Sequence, residues 1–145
     1  MGSQQRSLAN PRQDEYRILH EADLRDYLAG VPAVAARLGG APAAWSISEV
    51  GDGNLNLVFI VKAASGGVAV KQALPYVRLV GESWPLPLSR SHYEYLALTH
   101  QARLAPGLVP DVLHHNEGLA LVVMELIEPH VIMRKGLIAG TLYPR

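Results

Sequence analysis

The sequence contains no cysteine. Disulfide bridges, thiolate catalysis and cysteine-based zinc sites are therefore excluded. Charge of one sign is not in excess either, because 13 Lys and Arg residues balance 13 Asp and Glu residues. This balance gives no indication of a nucleic acid or an anionic membrane as partner. No apolar run approaches the roughly 18 residues that a membrane-spanning helix needs.

The composition is that of a folded domain. Hydrophobic residues make up 49% of the 145 residues and charged residues 18%, which predicts one domain with a hydrophobic core. The stretch from Met1 to Glu15 is polar and lacks the apolar centre of a signal peptide. We expect residues 1–15 to form a flexible leader.

Ala22–Leu38 has the pattern of helix, with apolar residues spaced three and four apart along one face. Gly30 and Pro32 interrupt this pattern, so two short helices are expected. Three strands should follow, at Trp45–Val50, Leu57–Ala63 and Val68–Ala73. The connections between them are short and contain glycines, which tolerate the positive φ of tight turns, so the strands should form an antiparallel meander.

The second half of the sequence predicts one main helix and two more strands. Leu74–Leu88 contains three prolines and is expected to be a long loop. The helix after it starts either from a capping box made by Ser91 and Glu94 or from Ser89 as the cap. Its expected buried stripe is Tyr93, Leu96, Ala97, His100 and Leu104. Strands at about 112–115 and 119–124 and a short helix at about 131–138 complete the prediction.

Gly51-Asp-Gly-Asn-Leu-Asn56 connects the first two strands. Glycines let a backbone approach a phosphate closely, and the exposed N–H groups can hold the anion. In this interpretation Gly51, Gly53 and Asn54 form a phosphate loop, and Asn56 stands where the kinase pattern G-x-G-x-x-G has its third glycine. The alternative is a hairpin turn that only needs flexible residues.

Val68-Ala-Val-Lys71 differs by one residue from the V-A-I-K strand of kinases. If Val68 and Val70 face the core, Lys71 faces the other side of the sheet and can neutralise phosphates under the loop. Glu94 could hold that lysine in place, or it could only close the helix cap. A surface lysine is the alternative for Lys71. The six histidines lack metal-site spacing, so we expect no metal site from them.

The order of these features is more specific than any one of them. A glycine-rich hairpin, a strand lysine, a helix glutamate and a strand that runs into a connector occur in the order of the N-terminal lobe of the protein-kinase-like fold. We therefore predict an α+β fold: a five-stranded antiparallel sheet with one main helix and short N-terminal helices. The connector would be Glu125-Leu126-Ile127, whose backbone can bind adenine.

Four stretches of the sequence resemble S-methyl-5-thioribose kinase. They are Gly51–Phe59, Val70–Tyr76, Val80-Gly-Glu-Ser-Trp-Pro-Leu86 and Arg134–Gly140. The Gly-Glu-Ser-Trp-Pro segment is the most specific of them, because ordinary protein kinases have no counterpart there. The resemblance implies that Trp84 borders the active site and that Asn56, Lys71 and the connector contact ATP.

The resemblance also implies a reaction. ATP with Mg²⁺ would phosphorylate methylthioribose to its 1-phosphate in methionine salvage, in a cytoplasmic enzyme that is typically a homodimer. Two departures matter. The family's connector commonly reads Met-Glu-Asp-Leu, where this sequence has Met124-Glu-Leu-Ile127. The family's catalytic loop, metal ligands and substrate-binding arginines lie in a C-terminal lobe, and no segment here supplies them.

We therefore expect residues 16–128 to be a kinase-like N-lobe and 129–145 a linker with the start of a C-lobe. Catalytic residues and magnesium ligands are expected outside this chain, so the chain alone should be inactive. Two alternatives remain. One is another kinase-like phosphotransferase, acting on an aminoglycoside or choline-type substrate, and the other is a non-catalytic nucleotide-binding module.

Overall fold

The computed structural model describes residues 16–51 and 53–144. The expected leader, 1–15, lies outside the described residues. A five-stranded sheet forms the centre, and all of its strand pairs are antiparallel. Its strands, in spatial order, are β1 (Ser46–Glu49), β2 (Asn56–Ala63), β3 (Gly66–Ala73), β7 (Leu121–Glu125) and β6 (Val112–Asn116). The predicted meander and the two later strands are therefore confirmed.

Four α-helices accompany the sheet in the described residues: α1 (Glu21–Ala29), α2 (Pro32–Leu38), α3 (Arg90–Leu104) and α4 (Met133–Ile138). A short 3-10 helix (Pro42–Ala44) precedes β1. The predicted break between α1 and α2 is confirmed, with Gly30 as the C-cap of α1 and Pro32 as the first residue of α2. Proline is favoured there because the first helical N–H has no partner within the helix. The predicted α+β class, with one main helix and short N-terminal helices, is thus the observed fold.

The two faces of the sheet have different roles. Alternate residues of β2 and β3, such as Phe59, Val61, Val68 and Val70, are buried against α1 and α2. Each large apolar side chain that is fully buried contributes roughly 1.5–3 kcal/mol. The residues between them, including Lys71, point to the opposite face, where α3 packs. This alternation follows from the two-residue period of a strand.

Gln72 is a polar residue inside the core, with 0% of its surface exposed. Its amide oxygen accepts the Leu19 backbone N–H at 3.0 Å, and its amide nitrogen donates to the carbonyl oxygens of Arg17 at 2.8 Å and Leu119 at 3.0 Å. Gln72 therefore ties β3 to the segment before α1 and to the turn before β7.

Two predictions about the middle of the chain are wrong. The stretch Leu74–Leu88 is not only loop, since it contains a hairpin of β4 (Tyr76–Val77) and β5 (Gly81–Pro85). The capping box is also wrong: α3 begins at Arg90, which puts Ser91 inside its first turn, and Ser89 at the N-cap makes no side-chain cap bond. The Glu94 carboxylate bonds to a cation, which is a stronger partner than a backbone N–H.

The predicted buried stripe of α3 faces outward instead. Tyr93 is 68% exposed and Leu104 73% exposed. The helix packs on the sheet with another stripe at equally helical spacing, made by Ser91, Tyr95, Leu98 and Ala102. Contacts across the sheet select this stripe, since the Tyr95 ring stacks on His115 of β6 with centroids 4.2 Å apart.

The glycines between the second and third predicted strands were expected to adopt the positive φ of a tight turn, and this prediction is wrong as well. Gly66 and Gly67 belong to β3 and are not among the glycines with positive φ. They lie close to neighbouring backbone: a Cβ on Gly67 would be 3.2 Å from the Val61 carbonyl oxygen, and one on Gly66 would be 3.1 Å from the Arg37 carbonyl oxygen.

Candidate active site

Lys71 and Glu94 form an ion pair on the α3 face of the sheet. The Lys71 ammonium donates to Glu94 Oε1 at 2.6 Å. Their side chains are 29% and 34% exposed, so water screens this pair less than it screens a fully exposed pair. The predicted contact between the strand lysine and the helix glutamate is therefore confirmed. The pair holds the ammonium at one place above the sheet.

An apolar surface lies beside the ammonium. Val58 and Val122 are the register partners of Lys71, and Ile60 and Met124 are the partners of Ala69. All of these side chains are on the Lys71 face, because directly paired residues of an antiparallel sheet point to the same side. Val122 is buried, but Val58, Ile60, Ala69 and Met124 are partly exposed. A partly exposed apolar surface of this kind can accept the flat faces of a nucleobase next to a cation for its phosphates.

The loop between β1 and β2 contains Gly51, Gly53 and Asn54 and leads into Asn56, the first residue of β2. A Cβ on Gly53 would lie 2.5 Å from the Asn56 carbonyl oxygen, whereas a Cβ on Gly51 would meet nothing within 4 Å. Gly53 is therefore required by a close backbone approach. The loop is fixed at its end, where the Arg78 N–H donates to the Asn54 carbonyl at 2.7 Å and the Leu74 N–H to the Leu55 carbonyl at 3.1 Å.

Asn56 is the first residue of β2 and the register partner of Ala73. It is therefore a diagonal neighbour of Lys71 on the same face, a relation that puts Cβ atoms about 7–8 Å apart. An amide at this position and an ammonium at Lys71 can donate to neighbouring oxygens of one polyphosphate.

The predicted connector follows β7. Glu125 ends that strand, and its carboxylate accepts from Arg37 Nη2 of α2 at 3.4 Å, which directs it away from the Lys71 face. Leu126 and Ile127 come after the strand. Both residues lie outside the paired residues of the sheet.

Trp84 lies in β5 and is 59% exposed. The hairpin that carries it is joined to the phosphate loop through Arg78, whose guanidinium also donates to Glu49 Oε1 at 2.7 Å. The structure therefore places Trp84 on an arm attached to the loop, and it shows no contact between Trp84 and Lys71 or Glu94 in the described residues.

A cavity of about 690 Å³ lies on the other face of the sheet, between the start of α1 and the β4–β5 hairpin. Leu57, Phe59, Leu74 and Tyr76 line it, together with the paired Glu49 and Arg78. Lys71 does not border it. The cavity is thus separate from the Lys71–Glu94 pair, which lies on the opposite face of the sheet.

Two arginines of the site were not identified from the sequence: Arg78 and Arg90. Arg90, the first residue of α3, donates to the carbonyl oxygens of Leu55 at 3.1 Å and Leu74 at 2.8 Å. One signal could have pointed to it, because a cation at a helix N-terminus opposes the helix dipole and needs another reason to be there.

The described residues form no metal cluster of their own. No group of three or more His, Asp or Glu side chains there could hold a metal ion. Glu94, the carboxylate nearest the ammonium, is engaged by Lys71.

In the described part of the chain, no helix is both long and apolar enough to cross a membrane.

Sequence comparison identifies relatives of the chain, although no protein-family model matches it. Methylthioribose kinase 2 of Oryza sativa subsp. japonica is 50% identical over 137 residues, which are 94% of this chain and 32% of the relative. Methylthioribose kinase of Escherichia coli O45:K1 (strain S88 / ExPEC) is 45% identical over 131 residues, 90% of this chain and 31% of the relative. Methylthioribose kinase of Geobacillus sp. (strain WCH70) is 48% identical over 119 residues, 79% of this chain and 30% of the relative.

The chain thus spans about a third of the length of these relatives. The resemblance seen in the sequence is confirmed, and the matched part is the N-terminal one. The chain is a homologue of the N-terminal part of the methylthioribose kinases.

Proposed function

We propose that this chain is the nucleotide-binding part of an enzyme that transfers the terminal phosphoryl group of ATP to the 1-hydroxyl of methylthioribose. One observation carries the proposal: the 2.6 Å pair of Lys71 and Glu94 on the sheet face next to the phosphate loop. The names of the relatives support methylthioribose as the substrate. They favour it over an aminoglycoside or choline-type substrate.

Each group on this face has a task in the proposal. Glu94 orients the Lys71 ammonium, and the ammonium balances the negative charge of the phosphates. Asn56 and the backbone N–H groups of the loop donate to phosphate oxygens. Val58, Ala69 and Met124 contact the base, while the backbone of Leu126 and Ile127 bonds to its edge. The result is an ATP held with its triphosphate along the loop.

Phosphoryl transfer also needs a group that orients the attacking hydroxyl and metal ions that bridge the phosphates. We propose that these groups, and the contacts to the sugar, belong to the part of the relatives that this chain does not match. The chain by itself should then bind ATP weakly and not turn over. A cytoplasmic homodimer, as the family resemblance implies, is proposed for the complete enzyme.

The direct test is ATP affinity in a Lys71→Ala variant, measured by isothermal titration calorimetry. Loss of a charged hydrogen-bond donor should weaken ATP binding by about tenfold or more. Lys62→Ala is the matched control, because Lys62 lies on the neighbouring strand in an exposed pair with Glu128. This control should bind ATP as the wild type does.

Adenosine distinguishes the role of Lys71 further. It lacks phosphates, so its affinity should not change in Lys71→Ala. Equal ATP affinity in the wild type and both variants would contradict the proposal, as would a wild-type chain that binds no ATP at millimolar concentration.

A further inference from the structure

Arg90 is the point at which three segments of the site meet. Its Nη2 donates to the Leu55 carbonyl at 3.1 Å and the Leu74 carbonyl at 2.8 Å, and its Nε donates to the Pro87 carbonyl at 3.1 Å. Leu55 ends the phosphate loop, Leu74 follows the lysine strand, and Pro87 precedes α3. One planar guanidinium therefore contacts three separate parts of the backbone.

These three segments carry the groups of the proposed ATP site. Leu55 directly precedes Asn56, and Leu74 is three residues after Lys71. Glu94 is four residues after Arg90, one turn along the same helix. A shift of Arg90 would therefore move all three groups relative to one another.

The guanidinium of Arg90 is suited to binding several backbone carbonyls at once. A cation in the first turn of a helix opposes the helix dipole, so Arg90 is locally unfavourable. None of the ion pairs found among the described residues involves it, and its recorded partners are neutral carbonyls. Lysine could not replace it, because an ammonium on a flexible stem lacks the rigid fork that reaches several acceptors at once.

We infer that Arg90 is a positioning residue that couples the phosphate loop to the Lys71–Glu94 pair. The coupling itself is a property of the backbone contacts, and its effect on phosphate binding rests on the proposed function. Arg90 does not need to touch the nucleotide. It keeps the loop and α3 at a fixed separation, so that Asn56 and Lys71 can bind the same polyphosphate.

Hydrogen–deuterium exchange on the full chain tests the coupling without a ligand. The variant is Arg90→Lys, which keeps the charge and the aliphatic stem. The matched control is Arg103→Lys, in the last turn of the same helix, where the arginine contacts only His100 among the described residues. Far-UV circular dichroism checks that each variant is folded, and Arg90→Gln repeats the test with a second side chain.

Exchange should rise by about five- to tenfold in two separate peptides of Arg90→Lys, one over residues 50–58 and one over 88–95. A peptide over 112–125, in the sheet, should exchange as in the wild type, and Arg103→Lys should change none of the three. A rise confined to 88–95 would overturn the inference, since Arg90 would then stabilise only its own helix. A uniform rise that includes 112–125 would overturn it too, by showing a general loss of stability.

Nucleotide binding supplies the second readout. Arg90→Lys should weaken ATP binding by about fivefold or more while adenosine affinity stays constant. An equal loss for both ligands would overturn the positioning role. If the wild type binds no ATP, the proposed function fails, and the exchange experiment still decides whether Arg90 couples the loop to α3.

Discussion

The side chain of His115 is packed in a way that disfavours its protonated form. Its ring lies parallel to Tyr95, with an interplanar angle of 2°, and its Nε2 is buried without a hydrogen-bond partner among the described residues. Burial is the main cause that lowers its pKa below the usual 6.5, and the charge of His92 lowers the pKa further. Glu117 raises the pKa by less than these two effects, and His114 lowers it by the smallest amount. Burial also lowers the pKa of His114, which contacts the Tyr27 hydroxyl at 2.7 Å. Both rings are therefore held in the neutral form by the fold.

This gives the chain a stability that depends on pH. Because the folded-state pKa values are lowered, the unfolded chain binds more protons, so the free energy of unfolding should be full above pH 6.5 and should fall as the pH drops below it. Urea denaturation between about pH 5 and pH 8 measures the slope. His115→Phe keeps an aromatic ring beside Tyr95 and should make the slope shallower, whereas His100→Phe on the exposed side of α3 should not. An unchanged slope in His115→Phe would show that His115 does not contribute.

Gln72 tests the buried hydrogen bonds. Gln72→Leu fills the same space but leaves the Leu19 N–H and the carbonyls of Arg17 and Leu119 without their partner. We expect the free energy of unfolding in urea to fall by about 2–4 kcal/mol. Gln101→Leu, on an exposed position of α3, is the control and should change it by less than about 0.5 kcal/mol. A Gln72→Leu variant as stable as the control would contradict this account.

At the scale of elements, the phosphate loop offers a matched pair of glycines. Gly53→Ala would place a Cβ 2.5 Å from the Asn56 carbonyl oxygen and must shift the backbone, while Gly51→Ala has open space. If the loop binds phosphates, Gly53→Ala should weaken ATP binding by about tenfold, equivalent to about 1.4 kcal/mol, and Gly51→Ala by less than about threefold. Calorimetric titration with ATP measures both. Equal effects of the two substitutions would indicate that the loop's shape does not matter for binding.

The strands and N-terminal helices could be predicted because their local signals agree with the final packing. Leu57, Phe59 and Val61 alternate with less buried residues, and Gly30 with Pro32 separates α1 from α2. The orientation of α3 could not be predicted in this way. Tyr93 and Leu96 lie on one apolar stripe, and Tyr95 and Leu98 lie on another. Contacts with the sheet, such as the Tyr95–His115 stack and the Lys71–Glu94 pair, select between them.

The residues of the candidate site also fall into two groups, those that a sequence pattern identifies and those that only the folded structure reveals. Lys71 and Glu94 could be identified because each belongs to a sequence pattern of fixed order, and the structure brings them together at 2.6 Å. Arg90 could not be identified from the sequence, because its partners are backbone carbonyls, which every residue type has. The β4–β5 hairpin was missed because prolines at 75 and 85 suggested a loop, yet both lie at the ends of a short, isolated pair of strands.

At the scale of the whole molecule, many large apolar side chains of the described residues remain exposed, and two groups of them lie in the C-terminal stretch and on α3. In the C-terminal stretch Val131 is 75%, Ile138 81% and Leu142 95% exposed, and on α3 Leu104 is 73% exposed. Soluble monomers rarely expose contiguous apolar patches larger than about 300–600 Å². We propose that the part of the relatives that this chain does not match covers these side chains.

The isolated chain should therefore bind the dye ANS and self-associate in sedimentation velocity. Replacing Leu137, Ile138 and Leu142 by Ser should reduce the dye fluorescence by about half or more, because these exposed side chains make no core contact. Glu82→Ser, at an exposed position of β5, is the control. If the wild-type chain sediments as a single monomeric species and does not increase ANS fluorescence, the described fold is stable and soluble without a covering partner.

Lys71 and Gln72 are neighbours in β3, and they point to opposite faces of the sheet. A slip of β3 by one residue would exchange them, pushing the ammonium into the core beside Phe59 and Val123 and leaving the carbonyls that Gln72 binds without a donor. A buried ammonium and unpaired buried carbonyls both lower the stability of the fold, so the slipped register is much less stable than the observed one. The buried amide therefore fixes the register of β3, and with it the face of the sheet on which Lys71 meets Glu94.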